Sequence, residues 1–114
     1  MENNMKSIYP AILLACLYGC ASAPSNLPTG AIQKGTLSNQ KLIMDTMVGV
    51  AGKLGSLSCK EKFTFEPYVM SLPQGNIGSR VWRELWVVKA CGTEHPMYIK
   101  FNESGLNAAD YVVE

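Results

Sequence analysis

The sequence predicts an α+β domain: one N-terminal helix packed on a three- to four-stranded antiparallel β-meander, with one disulfide. A change of hydrophobic period along the chain indicates this class. Apolar residues recur at helical spacing over residues 38–53, and afterwards they alternate with polar residues in segments bounded by turn-forming residues. The length of 114 residues leaves room for one small domain and a targeting segment.

The helical segment begins near Ser38 or Asn39, either of which can cap a helix. Its apolar side chains form one stripe: Leu42, Ile43, Met47, Val50, Ala51 and Leu54. We expect Gly55 to end the helix in a left-handed conformation. Gly49 and Gly52 weaken the helix by up to ~1 kcal/mol each relative to alanine, so we expect them where the helix comes close to the sheet.

Segments rich in aromatic and β-branched residues follow the helix and are predicted to be strands. They cover residues 59–69, 80–91 and 97–101, and a short final strand is expected at residues 110–113. The turns between the first three strands have the sequences SLPQGNIGS and GTEHP. Because each connection is short, neighbouring strands are expected to pair in an antiparallel meander.

Cys59 opens the first predicted strand and Cys91 closes the second, so an antiparallel hairpin can place them opposite each other. This register forms two further pairs: Phe63 with Val87, and Phe65 with Leu85. We expect the helix to cover the face that these side chains share with the cysteines. A disulfide suits an exported chain whose mature part has a small core, and its closed loop contributes about 3.5 kcal/mol.

The opposite face of the sheet is predicted to present Tyr68, Trp82 and Trp86 to a partner. Aromatic side chains supply large contact areas and recur at the energetic centres of interfaces. Tryptophans in a small domain also fill its core, and this alternative stays open. A shift of one residue in the register would exchange the two faces.

Residues 1–19 have the pattern of a secretory signal peptide. Lys6 precedes an apolar run of about twelve residues, which is too short for a permanent transmembrane helix. The run ends in LYGC at residues 17–20, which resembles the lipobox of bacterial lipoproteins. The resemblance implies cleavage before Cys20 and acylation of its thiol, with Cys16 as a competing site.

The lipobox resemblance also implies a location. Because Ala21 follows the cysteine instead of an aspartate, we expect an outer-membrane anchor with the protein facing the periplasm. Residues 20–37 combine proline, glycine and small polar residues without hydrophobic periodicity, so they are predicted to be the lipidated cysteine and a flexible tether. Residues 38–114 are then the periplasmic domain.

Charge and motifs exclude several classes of function. Ten basic and nine acidic residues, without a block of either sign, give no footprint for nucleic acid. Cys59, Cys91 and His95 supply only three possible zinc ligands, so the disulfide is expected and no metal site is predicted. The carboxylates are scattered and no phosphate-binding loop occurs, so neither a cofactor nor an enzymatic activity is expected.

The segment WRELWVVKACG at residues 82–92, followed by YIKF, resembles the C-terminal half of small lipoproteins of uncharacterised function in Gram-negative bacteria. The lipobox, the helix followed by strands, and the turn FNESGL at residues 101–106 more loosely resemble the small lipoprotein of the barrel-assembly machinery. Both resemblances imply a lipid-anchored envelope protein, and neither implies an activity for this chain.

These observations predict a binding or structural module of the cell envelope with a protein partner. One alternative is an inhibitor of a foreign enzyme, in which the loop at residues 71–79 enters the active site. Another is a small hydrolase or metal-dependent enzyme that uses His95 with Glu94 or Cys91. That enzyme requires a concave pocket with converging polar groups around residues 91–96.

Overall fold

The computed structural model describes residues 27–114, so Cys16, Cys20 and the predicted signal peptide lie outside the described residues. The elements follow in the order β1 (Gln33–Lys34), α1 (Gln40–Ser56), β2 (Thr64–Gln74), β3 (Val81–Ala90), β4 (Thr93–Glu103) and β5 (Ala109–Val113). All five strands form one antiparallel sheet in chain order. The α+β class and the meander are confirmed, with five strands instead of three or four. Within residues 27–114, no helix has the length and apolar character needed to span a bilayer.

The strand β1 lies inside the range that the sequence predicts as a tether. Gln33 pairs with Val69 of β2, and the amide of Ile32 donates to the Val69 carbonyl at 2.8 Å. Residues 33–37 therefore belong to the folded domain. A two-residue strand shows no alternating pattern, so the sequence carries no signal for it.

Asn39 caps α1, because its side-chain oxygen accepts a hydrogen bond from the amide of Leu42 at 2.8 Å. The buried face of the helix consists of Leu42, Thr46, Val50 and Leu54. Thr46 is absent from the predicted stripe, and its hydroxyl donates to the Leu42 carbonyl at 2.7 Å, which satisfies it inside the core. The left-handed residue after the helix is Ser58, with φ 64°, and not Gly55.

Gly49 lets α1 approach β5 closely. A Cβ atom on Gly49 would lie 2.5 Å from Cε2 of Tyr111, whereas a Cβ atom on Gly52 would have no neighbour within 4 Å. The predicted close approach is thus confirmed at Gly49, and Gly52 has no such contact.

The substitutions Gly49→Ala and Gly52→Ala should change stability in opposite directions. A methyl group at position 49 collides with Tyr111 and should lower the free energy of unfolding by about 1–3 kcal/mol. At position 52 alanine only improves helix propensity, so Gly52→Ala should raise the free energy of unfolding by about 0.5–1 kcal/mol. Urea denaturation of both variants beside the wild type measures the difference. Equal stabilisation by both would show that the Tyr111 ring moves aside without cost.

The observed register of β2 and β3 differs from the predicted one. Phe65 lies opposite Val88 instead of Leu85, and Tyr68 takes the place opposite Leu85. The difference is an odd number of positions, so the side chains of β3 change faces relative to the prediction. The predicted register is wrong because it treats the two cysteines as a ladder pair, although β2 begins only at Thr64.

The predicted disulfide between Cys59 and Cys91 is confirmed, with a Cα–Cα distance of 6.1 Å. It joins the segment between α1 and β2 to the turn between β3 and β4. Cys91 and Gly92 both have positive φ, 52° and 76°, as a two-residue type I′ hairpin turn requires. Because β4 starts at Thr93, residues 93–96 of the predicted turn GTEHP belong to a strand, and only Gly92 lies in the turn.

The core lies between α1 and the sheet face that carries Trp82, Trp86 and Ile99, which we call the inner face. The Trp86 ring stacks on Phe65 with centroids 4.2 Å apart, and the Trp82 ring stacks on Phe101 at 5.0 Å. Of the two alternatives for the tryptophans, the core is therefore confirmed, because the register turns both rings toward the helix and buries them.

Candidate functional site

The face of the sheet turned away from α1, which we call the outer face, carries a row of apolar and aromatic side chains. Tyr68, Leu85 and Tyr98 lie side by side across β2, β3 and β4. Tyr68 and Leu85 are buried, whereas Tyr98 is 46% exposed. Val112 of β5 adds a further exposed apolar side chain. The one helix of the described chain lies on the other side of the sheet, and Tyr98 and Val112 are the exposed apolar side chains of this row.

Charged side chains surround this row. Nζ of Lys89 lies 3.8 Å from a carboxylate oxygen of Glu66 and 3.9 Å from one of Glu94. Arg83 donates to the carboxylate of Glu114 at 3.2 Å. Exposed ion pairs of this kind add little to stability. An aromatic and apolar centre with a polar rim is the usual anatomy of a protein-binding surface.

Tyr68 is the residue of the predicted binding set that lies on the outer face. Its hydroxyl donates to the Glu66 carboxylate at 2.9 Å. This hydrogen bond, followed by burial, raises the pKa of Tyr68 above its ordinary value of 10.0, so the hydroxyl stays protonated. Tyr98 was missed by the sequence reasoning. Its alternation with the apolar residues Met97 and Ile99 places it on the opposite face to theirs and could have identified it.

Trp82 and Trp86 bind a buried carboxylate instead of facing a partner. Glu84 lies between them on the inner face and is fully buried. Nε1 of Trp82 donates to its Oε2 at 2.9 Å, and Nε1 of Trp86 donates to its Oε1 at 2.8 Å. Alternate residues of a strand share one face, so the spacing W-x-E-x-W brings both indoles to one carboxylate.

The segment between β1 and α1 completes the surroundings of Glu84. The Thr36 hydroxyl donates to Oε1 at 2.7 Å, and the Leu37 amide donates to Oε2 at 2.9 Å. Each carboxylate oxygen thus accepts two hydrogen bonds from neutral donors. No lysine or arginine among residues 27–114 forms an ion pair with Glu84. The buried carboxylate therefore fixes the N-terminal segment to the sheet.

The last residues of β2 and two loops meet at one end of the sheet, which we call the loop end and define as residues 72–79 and 104–108. The amide of Gly105 donates to the carbonyl of Gly78 at 2.9 Å and joins the loops. Leu72 is 51% exposed, and Ile77 and Leu106 are each 75% exposed. The loop end thus presents apolar side chains from both loops to solvent.

Glu103 holds the β2–β3 loop in place. Its Oε1 accepts hydrogen bonds from the amides of Gly78 at 3.1 Å and Arg80 at 2.9 Å. The Arg80 guanidinium donates to both carboxylate oxygens, at 2.7 and 2.9 Å. These contacts, led by the hydrogen bonds from the Arg80 side chain, lower the pKa of Glu103 to about 2. The loop is therefore fixed where it enters β3.

Acidification should destabilise the wild type more steeply than a Glu103→Gln variant. The pKa of Glu103 falls from 4.5 to about 2 on folding. Its contribution to stability is therefore complete above pH 4.5 and disappears as the pH falls toward 2. Urea denaturation at several pH values in this window measures the slope. Glu61→Gln, in an exposed segment before β2, should keep the wild-type slope, and an unchanged slope in Glu103→Gln would contradict the assignment.

The residues of the enzyme alternative do not converge on a pocket. The sulfur of Cys91 belongs to the disulfide. Nε2 of His95 lies 3.0 Å from the Thr93 hydroxyl and 3.2 Å from the Ala90 carbonyl, so neighbouring groups occupy it. A depression of about 430 Å³ beside the turn does not include His95 and is lined by Lys89, Ala90, Gly92, Thr93 and Glu94. Within residues 27–114, no three histidine, cysteine, aspartate or glutamate side chains are grouped to hold a metal ion.

The structure separates the residues that the sequence predicts as one binding set. Tyr68 lies on the outer face, and Trp82 and Trp86 lie in the core. The acylation site Cys20 lies outside the described residues. Comparisons with protein-family models, curated proteins and solved structures gave no match.

Proposed function

We propose that this protein is a lipid-anchored lipoprotein of the cell envelope that binds a protein partner through the outer face of its sheet. The observation that carries the proposal is the row of Tyr68, Leu85 and Tyr98 on the outer face, in which Tyr98 is half exposed and charged side chains form the rim. In this proposal the module has a binding role and no catalytic one.

The anchor is proposed from the lipobox-like LYGC at residues 17–20. Acylation of Cys20 would leave the mature chain attached to the periplasmic side of the outer membrane, because two or three acyl chains hold a protein firmly to a bilayer. Intact-mass measurement of membrane-extracted protein tests this step. A soluble chain that still carries its initiator methionine would contradict it.

The binding energy should come chiefly from Tyr98. Leu85 is already buried by its neighbours, so it gains little further burial when a partner binds. The half-exposed ring of Tyr98 can still be desolvated, and tyrosine is among the residues enriched at interface hot spots. The ion pairs of Lys89 and Arg83 at the rim should influence the rate and specificity of association more than its affinity.

Tyr98→Ala should reduce recovery of the partner by about tenfold or more without unfolding the domain. Crosslinking of native envelopes followed by co-purification identifies the partner, and titration with that purified partner measures the affinity. The matched control is Val48→Ala, which removes a 72% exposed apolar side chain from α1 on the other side of the sheet. Unchanged affinity in Tyr98→Ala, or an equal loss in both variants, would contradict the proposed surface.

A further inference from the structure

We propose that the loop end rests on the membrane that holds the anchor, with Leu72, Ile77 and Leu106 inserted among the lipid headgroups. This proposal rests on the acylation of Cys20 proposed above. It assigns the loop end to a lipid surface and leaves the outer face free for a protein partner.

The chain enters the fold at this same end. β1 runs antiparallel to β2, so Ala31 and Ile32 run toward the C-terminal end of β2, and they follow a turn in which the Ala31 amide donates to the Pro28 carbonyl at 3.0 Å. Gly30 lies against Met70, whose Cε atom is 3.1 Å from the position of a Cβ on Gly30. Met70 precedes Leu72 by two residues in β2. The described chain therefore joins the sheet beside Met70, in the half of β2 that leads to the loop end.

The reach of the tether limits which surface can meet the bilayer. Seven peptide bonds separate Cys20 from Leu27, the first described residue. A fully extended chain covers about 3.5 Å per residue, so this segment spans ~25 Å at most. β2 and β4 have 11 residues each and are about 35 Å long. The chain enters the fold beside Met70, which is four residues from the end of β2 at Gln74 and six from its start at Thr64, so the loop end is nearer to the entry point than the turn at Cys91.

The composition of the loop end suits the interfacial region of a bilayer. Residues 72–79 and 104–108 contain no charged side chain, although 17% of the residues in the chain are charged. The flanking charges, Arg80 and Glu103, pair with each other at 2.7 Å. Burial of apolar side chains favours interfacial binding, and insertion of an unpaired charge would oppose it.

The loop end is also rigid enough to act as one surface. Glu103 binds the backbone of the β2–β3 loop, and the hydrogen bond from Gly105 to Gly78 joins the second loop to it. Because these contacts exist before binding, little conformational entropy remains to be lost on insertion.

Photocrosslinking to lipid tests the proposal on the mature, acylated protein. The protein is reconstituted in vesicles of phosphatidylethanolamine and phosphatidylglycerol that carry a diazirine on one acyl chain, and crosslinked peptides are mapped by mass spectrometry. Crosslinks are expected within residues 72–79 and 104–108. The double substitution Ile77→Ser and Leu106→Ser should lower their yield about tenfold, whereas Val48→Ser should leave it unchanged.

Three outcomes would overturn the proposal. The first is lipid crosslinks confined to the residues beside Cys20. The second is an equal yield of lipid crosslinks from the wild type and the double variant, when thermal denaturation shows that both proteins are folded. The third is a photoreactive residue at position 77 that captures protein and no lipid in whole envelopes, as the inhibitor alternative requires. Intact mass of the same preparation reports acylation separately, so failure of the anchor is distinguished from failure of the membrane contact.

Discussion

Replacement of Cys59 and Cys91 together by alanine is expected to lower the free energy of unfolding by about 3.5 kcal/mol. The disulfide spans a sequence separation of 32 residues, so its removal restores the conformational entropy of a long loop in the unfolded chain. Small domains have a total stability of only about 5–15 kcal/mol. The loss is therefore a large part of what keeps this domain folded.

Urea denaturation of the oxidised wild type and the double variant measures this loss. The double substitution is preferable to a single one, because one remaining thiol could form other disulfides. Reductant added to the wild type should reproduce the loss, and the double variant should not respond to it. A difference below about 1 kcal/mol would contradict the loop-entropy account.

The position of the disulfide explains why its effect should be large. Cys59 is buried in the core in a segment without regular structure, between the end of α1 and the start of β2. Cys91 lies in the β3–β4 turn, so the bond ties this irregular segment to the tightest hairpin of the sheet. The other end of the sheet is held differently, by the contacts of Glu103 with Arg80 and Gly78. The disulfide therefore stabilises one end of the domain, and the contacts of Glu103 stabilise the other.

The fold class could be predicted from local sequence patterns. The register of the strands depended on which of two signals was used, the pairing of the two cysteines or the hairpin turn at Cys91 and Gly92. The helix and the Asn39 cap are local signals, and the structure confirms them. Leu42, Val50 and Leu54 of the predicted stripe are buried, whereas Ala51 is exposed. The predicted register treated Cys59 and Cys91 as directly opposed residues. The pair Cys91-Gly92 between two alternating segments is also a hairpin signal. Had that turn been placed first, with Ala90 opposite Thr93, strand β4 would have started where the structure has it.

The sequence of β3 alone does not predict whether Trp82 and Trp86 lie on the inner or the outer face of the sheet. A glutamate between Trp82 and Trp86 on the same face argues locally for exposure, because an isolated buried carboxylate is costly. The structure satisfies it with Thr36 and Leu37, which lie 48 and 47 residues away in the sequence. These two donors follow β1, a strand with no periodic signal. The burial of the two indoles therefore depends on tertiary contacts that sequence periodicity does not show.

Glu84→Gln is expected to lower the free energy of unfolding by about 2–4 kcal/mol. The Glu84 carboxylate is the acceptor in each of its four hydrogen bonds. In glutamine, an amide nitrogen that can only donate replaces one of the two accepting oxygens. The Thr36 hydroxyl can turn to accept from that nitrogen, whereas the Leu37 amide cannot. The amide nitrogen should therefore take the Oε1 position and leave the indole N–H of Trp86 without an acceptor. Glu66→Gln, a half-buried carboxylate on the outer face, should cost less than about 0.5 kcal/mol.

A double-mutant cycle tests this geometry beyond the loss of stability itself. Trp86→Phe removes the N–H that the glutamine would leave unpaired, so Glu84→Gln should be less harmful in that background. We expect the double variant to be about 1–2 kcal/mol more stable than the sum of the single losses. The corresponding cycle with Trp82→Phe should show a smaller coupling, because the Trp82 indole keeps an oxygen acceptor in the expected orientation. Additive energies in both cycles would mean that the glutamine side chain leaves the cluster, and the Glu84 hydrogen bonds would then not explain the loss.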